Sequence, residues 1–230
     1  MITLYSYPTL FGVADNNPFG LKAFAFLKLA RLPFEHRHVF DASAAPRGQL
    51  PYIDDDGTIV GDSDAIIAHV IARHGVTMDA ELGPAQRTAD LFIRRTLDDL
   101  YWVMSYSRWR DDHYWPAFRD AMLTTHPSLS AHAMDAARTY NSERYRHQGI
   151  GRYAPDDVYA RGLADLRALA SVAPAGGCLF GPQPASTDAA LYGFMANVLY
   201  FDIDTPLKRF VALQPALLRH TESIHAQVAA

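Results

Sequence analysis

Apolar and polar positions alternate along Ile2–Tyr7, which reads as a strand closed by Pro8. The loop Thr9–Asn16 leads into Asn17-Pro18, a favoured N-cap followed by a residue favoured at the first helical position. Leu21, Phe24, Leu27, Leu29 and Ala30 then form an apolar face, predicting a helix that ends before Pro33. Phe34–Phe40 reads as a second strand, parallel to the first because a helix separates them. Leu50–Ser63 reads as strand, tight turn, strand and the first turn of a helix. Pro51 has no N–H for a sheet ladder and belongs at a strand start or edge. Asp56-Gly57 lies between two apolar runs and signals a hairpin, since Gly accepts the positive φ such turns need. Asp62-Ser63 then opens a helix in which Ile66, Ile67, Val70 and Ile71 share a face, and Gly75 stops it.

Sustained periodicity lapses from Val76 to Pro84, which reads as a linker. Beyond it the pattern is helical: Gln86–Arg110, Ala117–Thr125, Ser128–His147, Pro155–Val172, Ser186–Tyr200, Pro206–Leu213 and Pro215–Gln227. Trp115-Pro116 interrupts the first two. The expected architecture is an α/β domain over residues 1–76 followed by an all-α domain over 85–230.

The hairpin has a chemical use. A cis bond before Pro51 would turn the Tyr52 main chain outward, free to pair with an extended peptide. The helix opening at Asp62-Ser63 offers N–H groups that suit a carboxylate. Together they describe a site for a small acidic peptide. The alternative is a plain hairpin and an ordinary N-cap.

Strand, helix, strand, Leu50-Pro51, hairpin, Asp62-Ser63 and helix, in that order, resemble the thioredoxin-like half of cytosolic glutathione transferases. The branch that includes failed-axon-connections proteins and metaxins is the nearer likeness. Pro18-Phe19, Pro46-Arg47-Gly48-Gln49, Tyr101-Trp102, Tyr106-Ser107-Arg108-Trp109, Gly149-Ile150-Gly151-Arg152, Asp188–Phe194 and Thr205–Arg209 carry it further. The resemblance spans nearly the whole chain. It implies a homodimer that binds glutathione as co-substrate and conjugates its thiolate to a small apolar electrophile. A non-catalytic binding or adaptor protein on the same scaffold is the other expectation.

By that resemblance, the helix at Asn17-Pro18 faces the sulfur of glutathione, where its dipole favours a thiolate. Relatives of this branch often carry Cys after the Pro-Phe pair. Gly20 stands here, so a mixed disulfide with a protein thiol at that position is not available. Tyr7 and Asn17 are the candidates for activating the sulfur, with Tyr5 expected on the same strand face as Tyr7. Each has a structural alternative: tyrosines packing a strand, an asparagine capping its helix. Gln49, Leu50, Pro51, Tyr52, Asp62 and Ser63 are the implied glutathione-binding residues, with Gln49 where relatives often have Lys. Tyr106 and Trp109 are the candidates for holding the electrophile, against a reading of the aromatic cluster as core. Arg108 and Arg110 read as binding an acidic group or as solvated.

Asp188 resembles the family's buried helix-capping aspartate. Ala185 replaces the usual Ser or Thr, a loss of about 1 kcal/mol unless Ser186 substitutes.

A chain of 230 residues with 49% hydrophobic content can bury a sizeable core. A net charge of −4 and a pI near 6.2 give no footprint for nucleic acid or an anionic membrane. The single cysteine, Cys178, excludes an intrachain disulfide and reads as a small buried hydrophobe. With no signal peptide and no apolar run long enough to span a bilayer, a cytoplasmic protein is expected. No metal site is expected: His36 and His38 share a strand face without a carboxylate or Cys partner, and His69 and His74 fall on different helix faces. The Arg144, Arg146 and Arg152 stretch reads as a solvated helix end.

Overall fold

A computed structural model describes residues 1–229. Four strands, β1 (Ile2–Ser6), β2 (Phe34–His38), β3 (Tyr52–Asp55) and β4 (Thr58–Gly61), form one sheet in the order β2-β1-β3-β4. β1 and β2 are parallel and the other pairs antiparallel. Helix α1 (Pro18–Leu29) makes the crossover between β1 and β2, and α2 (Ser63–His74) follows β4. The chain then continues through α3 (Pro84–Trp109), α4 (Trp115–Thr125), α5 (Ala131–Gln148), α6 (Pro155–Val172), α7 (Ser186–Leu199), α8 (Pro206–Ala212) and α9 (Pro215–Val228). This is a thioredoxin-like sheet and its helices followed by an all-helical part.

Helix starts depart most from the expected bounds. Pro84 and Trp115-Pro116 begin α3 and α4 instead of preceding them, because proline in a first turn loses no helical hydrogen bond. α5 starts at Ala131, three residues late, because the Ser130 hydroxyl caps it by accepting from Ala133 N–H at 3.0 Å. The hairpin is as expected, with positive φ at both Asp56 and Gly57.

The two halves share a core. Leu21, Phe26, Ile53 and Ile66 pack with Ala189, Tyr192 and Ala196 of α7 and Ile224 of α9. The α1 and α7 backbones meet at Gly193, where a Cβ would lie 2.6 Å from Pro18 O and 2.7 Å from Lys22 N. Only glycine fits, and the contact fixes the N-terminal end of α1 against the helical part.

A polar network crosses the same boundary. Buried Lys22 pairs with Asp64, which also accepts from Arg94 at 2.7 Å; Arg94 reaches Asp90 at 2.8 Å and the Ser186 hydroxyl at 2.7 Å. The α7 cap is supplied from a distance. Asp79, in the segment read as a linker, accepts from Ser186 N–H at 2.8 Å and from its hydroxyl. Ser186 is therefore the capped residue, not the substitute cap. Asp188 is buried and accepts from Ala185 and Leu179 N–H, both at 2.8 Å, and lies 2.8 Å from His220 Nε2.

Candidate active site

The antiparallel register pairs Tyr5 with Tyr52, so the chain leaving β1 at Ser6-Tyr7 runs beside the chain entering β3 at Leu50-Pro51. The Leu50-Pro51 bond is cis. Tyr52 sits in ladders on both sides, opposite Tyr5 and Gly61, so its main chain is not a free edge. Leu50, just before β3, has no main-chain hydrogen-bond partner among the described residues. At the other end of the hairpin, Asp62 N–H donates to Pro51 O at 3.3 Å, which delivers the start of α2 to the same place.

Asp62 holds a positive φ of 81° and caps α2, its Oδ1 accepting from Asp64 N–H at 2.9 Å and Ala65 N–H at 3.2 Å. Its other oxygen meets Arg47 at 3.2 Å. Ser63 is buried, and its hydroxyl bonds to nothing among the described residues. Gln49 is exposed. Arg47 was not singled out from sequence; its place on the positive-φ turn Pro46–Gly48 brings a cation to a patch where Gln49 supplies none.

Tyr7 lies one residue beyond β1 and turns into a cavity of about 290 Å³ with Asn17 and Pro18 of the α1 N-terminus. The expectation that Tyr5 shares its face fails: Tyr5 stacks on Tyr52, ring centroids 4.4 Å apart, with Arg37 donating to its hydroxyl at 3.4 Å. Burial, then Tyr101 and Asp15, push the Tyr7 hydroxyl up to about 12. At neutral pH it is a phenol that can donate a hydrogen bond but not accept a proton as phenolate. Asn17 caps α1, its Oδ1 accepting from Phe19 N–H at 3.0 Å, while its Nδ2 donates to nothing among the described residues. Capping and a free amide donor coexist in one side chain.

α3 and α5 close the cavity with Tyr101, Met104, Ser105 and Trp109 on one side and Met134, Ala137, Tyr140 and Arg144 on the other. Met122 of α4 and Phe40 add apolar surface. Trp109 lines the cavity, whereas Tyr106 does not. Tyr106 is buried in the helical core, packed on Tyr145 and Tyr159. Gln49, Leu50, Pro51, Asp62 and Ser63 do not line it either; they form a neighbouring patch across the β1–β3 pairing.

Two arginines depart from their expected state. Arg108 is buried in the cavity wall, donating to Asn16 O and, at 2.8 Å, to Asn197 O. It ties the loop before α1 to α7 and is neither solvated nor aimed at an anion. Arg144 is half-buried, lies 5.3 Å from the Trp102 ring centre and 5.8 Å from that of Tyr140, and faces the cavity.

Two family models match the chain: a glutathione S-transferase N-terminal domain over residues 18–114 and a glutathione S-transferase C-terminal domain over 162–224. An isoprene-epoxide–glutathione S-transferase from Rhodococcus sp. (strain AD45) is 30% identical over 242 residues, covering 99% of both chains. The chain belongs to the glutathione S-transferase superfamily. The Failed axon connections protein of Drosophila melanogaster is 21% identical, covering 96% of this chain and 56% of that one, which supports the expected branch. The fold is that of the beta-etherase LigF from Sphingobium sp. strain SYK-6, with a TM-score of 0.68 at 17% identity, covering 99% and 97% of the two chains. A glutathione transferase from Phanerochaete chrysosporium matches at a TM-score of 0.65 and 16% identity, covering 98% and 96%.

The other chemical groups of this transferase-fold chain are engaged elsewhere. His36 lies 2.8 Å from the Ser6 hydroxyl and His38 3.0 Å from Ala14 O. His69 and His74, expected on different faces, both reach Asp55 Oδ2 at 2.9 Å, with His74 the last residue of α2. Burial, then Asp188, push the Cys178 thiol up to about 11, so it stays protonated.

Proposed function

We propose that this chain is a glutathione transferase that joins the sulfur of glutathione to a small, mainly apolar electrophile. The observation that carries the reading is the cavity in which the α1 N-terminus, Tyr7 and Asn17 face the aromatic and methionine wall of α3 and α5. Ser63 N–H and hydroxyl take the γ-glutamyl carboxylate, and Asp62 takes its ammonium group. The Leu50 main chain pairs with the cysteinyl unit beside Pro51, and Gln49 and Arg47 flank the peptide. The sulfur then lies at the first turn of α1.

Hydrogen bonds from the Tyr7 hydroxyl and Asn17 Nδ2, with the helix dipole, favour the thiolate over the thiol. The electrophile is held against Met104, Trp109 and Met134, so that attack by sulfur becomes a reaction between oriented partners. The name of the Rhodococcus relative pairs glutathione with isoprene epoxide, which supports a small electrophile here. We further read the chain as a cytoplasmic homodimer that needs no metal. No helix among the described residues is long and apolar enough to cross a membrane.

Calorimetric titration with glutathione, followed by conjugation assays on small epoxides and aromatic halides, tests the reading. Saturable binding with turnover supports it. Binding without turnover on any electrophile leaves a scaffold protein, and absence of binding at millimolar glutathione overturns it.

A further inference from the structure

Asp15 is fully buried, yet its Oδ2 has no hydrogen-bond partner among the described residues. Its position is fixed from three directions. Oδ1 accepts Asn17 N–H at 2.6 Å, and its main-chain oxygen accepts from Asn197 Nδ2 at 3.1 Å. The carboxyl itself fills the space that a side chain at Gly20 would occupy. It therefore lies beneath the first turn of α1, whose outer side faces the cavity.

An ionised carboxyl there works against the helix N-terminus. It disfavours an anion in the cavity, and because the carboxyl is fully buried the effect is weakly screened. After burial and Tyr101, it also acts to raise the Tyr7 phenol. The carboxyl also has a route to solvent. Ser6 borders the same space at Gly20 as the carboxyl, Ser6 Oγ is 2.8 Å from His36 Nε2, and His36 stands beside exposed His38 on β2, ring centroids 4.3 Å apart.

We propose that Asp15 is a charge-compensating positioning residue for the thiol site, taking up a proton through His36 and Ser6 as bound glutathione loses its thiol proton. The inference rests on glutathione being the ligand. The S–H bond breaks with its electron pair left on sulfur, and that proton leaves to solvent. The Ser6 hydroxyl, which donates to Tyr7 O at 3.4 Å in this structure, turns to pass its proton to a lone pair of Asp15 Oδ2 while accepting one from His36 Nε2–H, and His36 is reprotonated at Nδ1 from solvent. The net charge of the site does not change. Burial, the largest influence, pushes the Asp15 carboxyl up to about 7, against Ser6, the Asn17 and Tyr7 amides and Arg108. Burial, with His38, takes His36 down to about 4, so its ring is neutral. The other charged or titratable groups facing Asp15 are Tyr7 at the end of β1 and Arg108 of α3, at about 12 and about 10, which hold their states through neutrality.

The test counts protons released on glutathione binding, by calorimetry in buffers of different ionisation enthalpy. The same count for S-methylglutathione, which has no thiol proton, is subtracted, and the difference is divided by thiolate formed, read from its ultraviolet band. The expected result is about one proton per thiolate near pH 6, where Asp15 already holds its proton, falling well below one near pH 8. Asp15→Asn keeps an acceptor for Asn17 N–H and should release about one proton at both pH values. A wild-type ratio that stays at one near pH 8 overturns the inference, whether or not the variant folds. Absence of glutathione binding instead refutes the ligand assignment, a separate outcome.

Discussion

The Asp15 carboxyl occupies the position that a side chain on residue 20 would need, so Asp15 and Gly20 fit only as a pair. Gly20→Cys places atoms far inside contact distance of Asp15 and should cost about 1–3 kcal/mol by overpacking. Asp15→Ala opens that space. The double variant should therefore be more stable than the sum of the single effects, by about 0.5–3 kcal/mol. Denaturant unfolding of the four proteins measures the coupling, and simple additivity would mean the two positions do not compete for space.

Tyr7→Phe should lower kcat/KM by roughly 100-fold, the loss of one donor to developing charge. Because the Tyr7 hydroxyl is pushed up to about 12, its ionisation lies above the working range. Activity of the wild type should rise with pH through the thiol titration and show no alkaline decline before about pH 10. A pH–rate profile decides; a decline setting in near pH 8 would mean that Tyr7 titrates in a different environment.

Ser63→Ala removes a buried hydroxyl that bonds to nothing within the described chain. Folding stability should change little, while the Kd for glutathione rises about 10-fold, equivalent to roughly 1.4 kcal/mol. Calorimetry on the variant gives the answer, and unchanged affinity would remove Ser63 from the carboxylate site.

Asp64 links the halves through Lys22 and Arg94. Burial alone would raise its carboxyl, but those two cations outweigh it and hold the group below the usual carboxylate range. A folded value below the unfolded one stabilises the protein above about pH 4, and that contribution is lost as pH falls through the folded value. Asp64→Asn should cost about 2 kcal/mol at pH 7, since Lys22 loses its charged partner. The difference from wild type should shrink below pH 4 in acid-unfolding curves.

Element order and the hairpin were legible because they depend on local rules: Asn17-Pro18 opens a helix, Asp56-Gly57 turns a hairpin, Gly75 ends a helix. Tyr7, Asn17 and Trp109, singled out by the resemblance, all line one cavity. What was not legible depends on partners distant in sequence. Arg108 reads as an anion binder or as solvated until Asn16 and Asn197 are seen to hold it, and Asp79 reads as linker until it caps α7. Asp15 gives no periodic signal at all; only the absent Cβ of Gly20 explains its place. Tyr106 and Trp109 are three apart on α3, yet one faces the core and one the cavity, a distinction set by where α5 and α6 pack.

The most direct test of the account is the ultraviolet difference spectrum recorded while glutathione is titrated into the protein near neutral pH. A saturable thiolate band that weakens sharply in both Tyr7→Phe and Asn17→Ala is the predicted result. Saturable binding with no thiolate band, or a band unchanged in both variants, would contradict the placement of the sulfur at the α1 N-terminus.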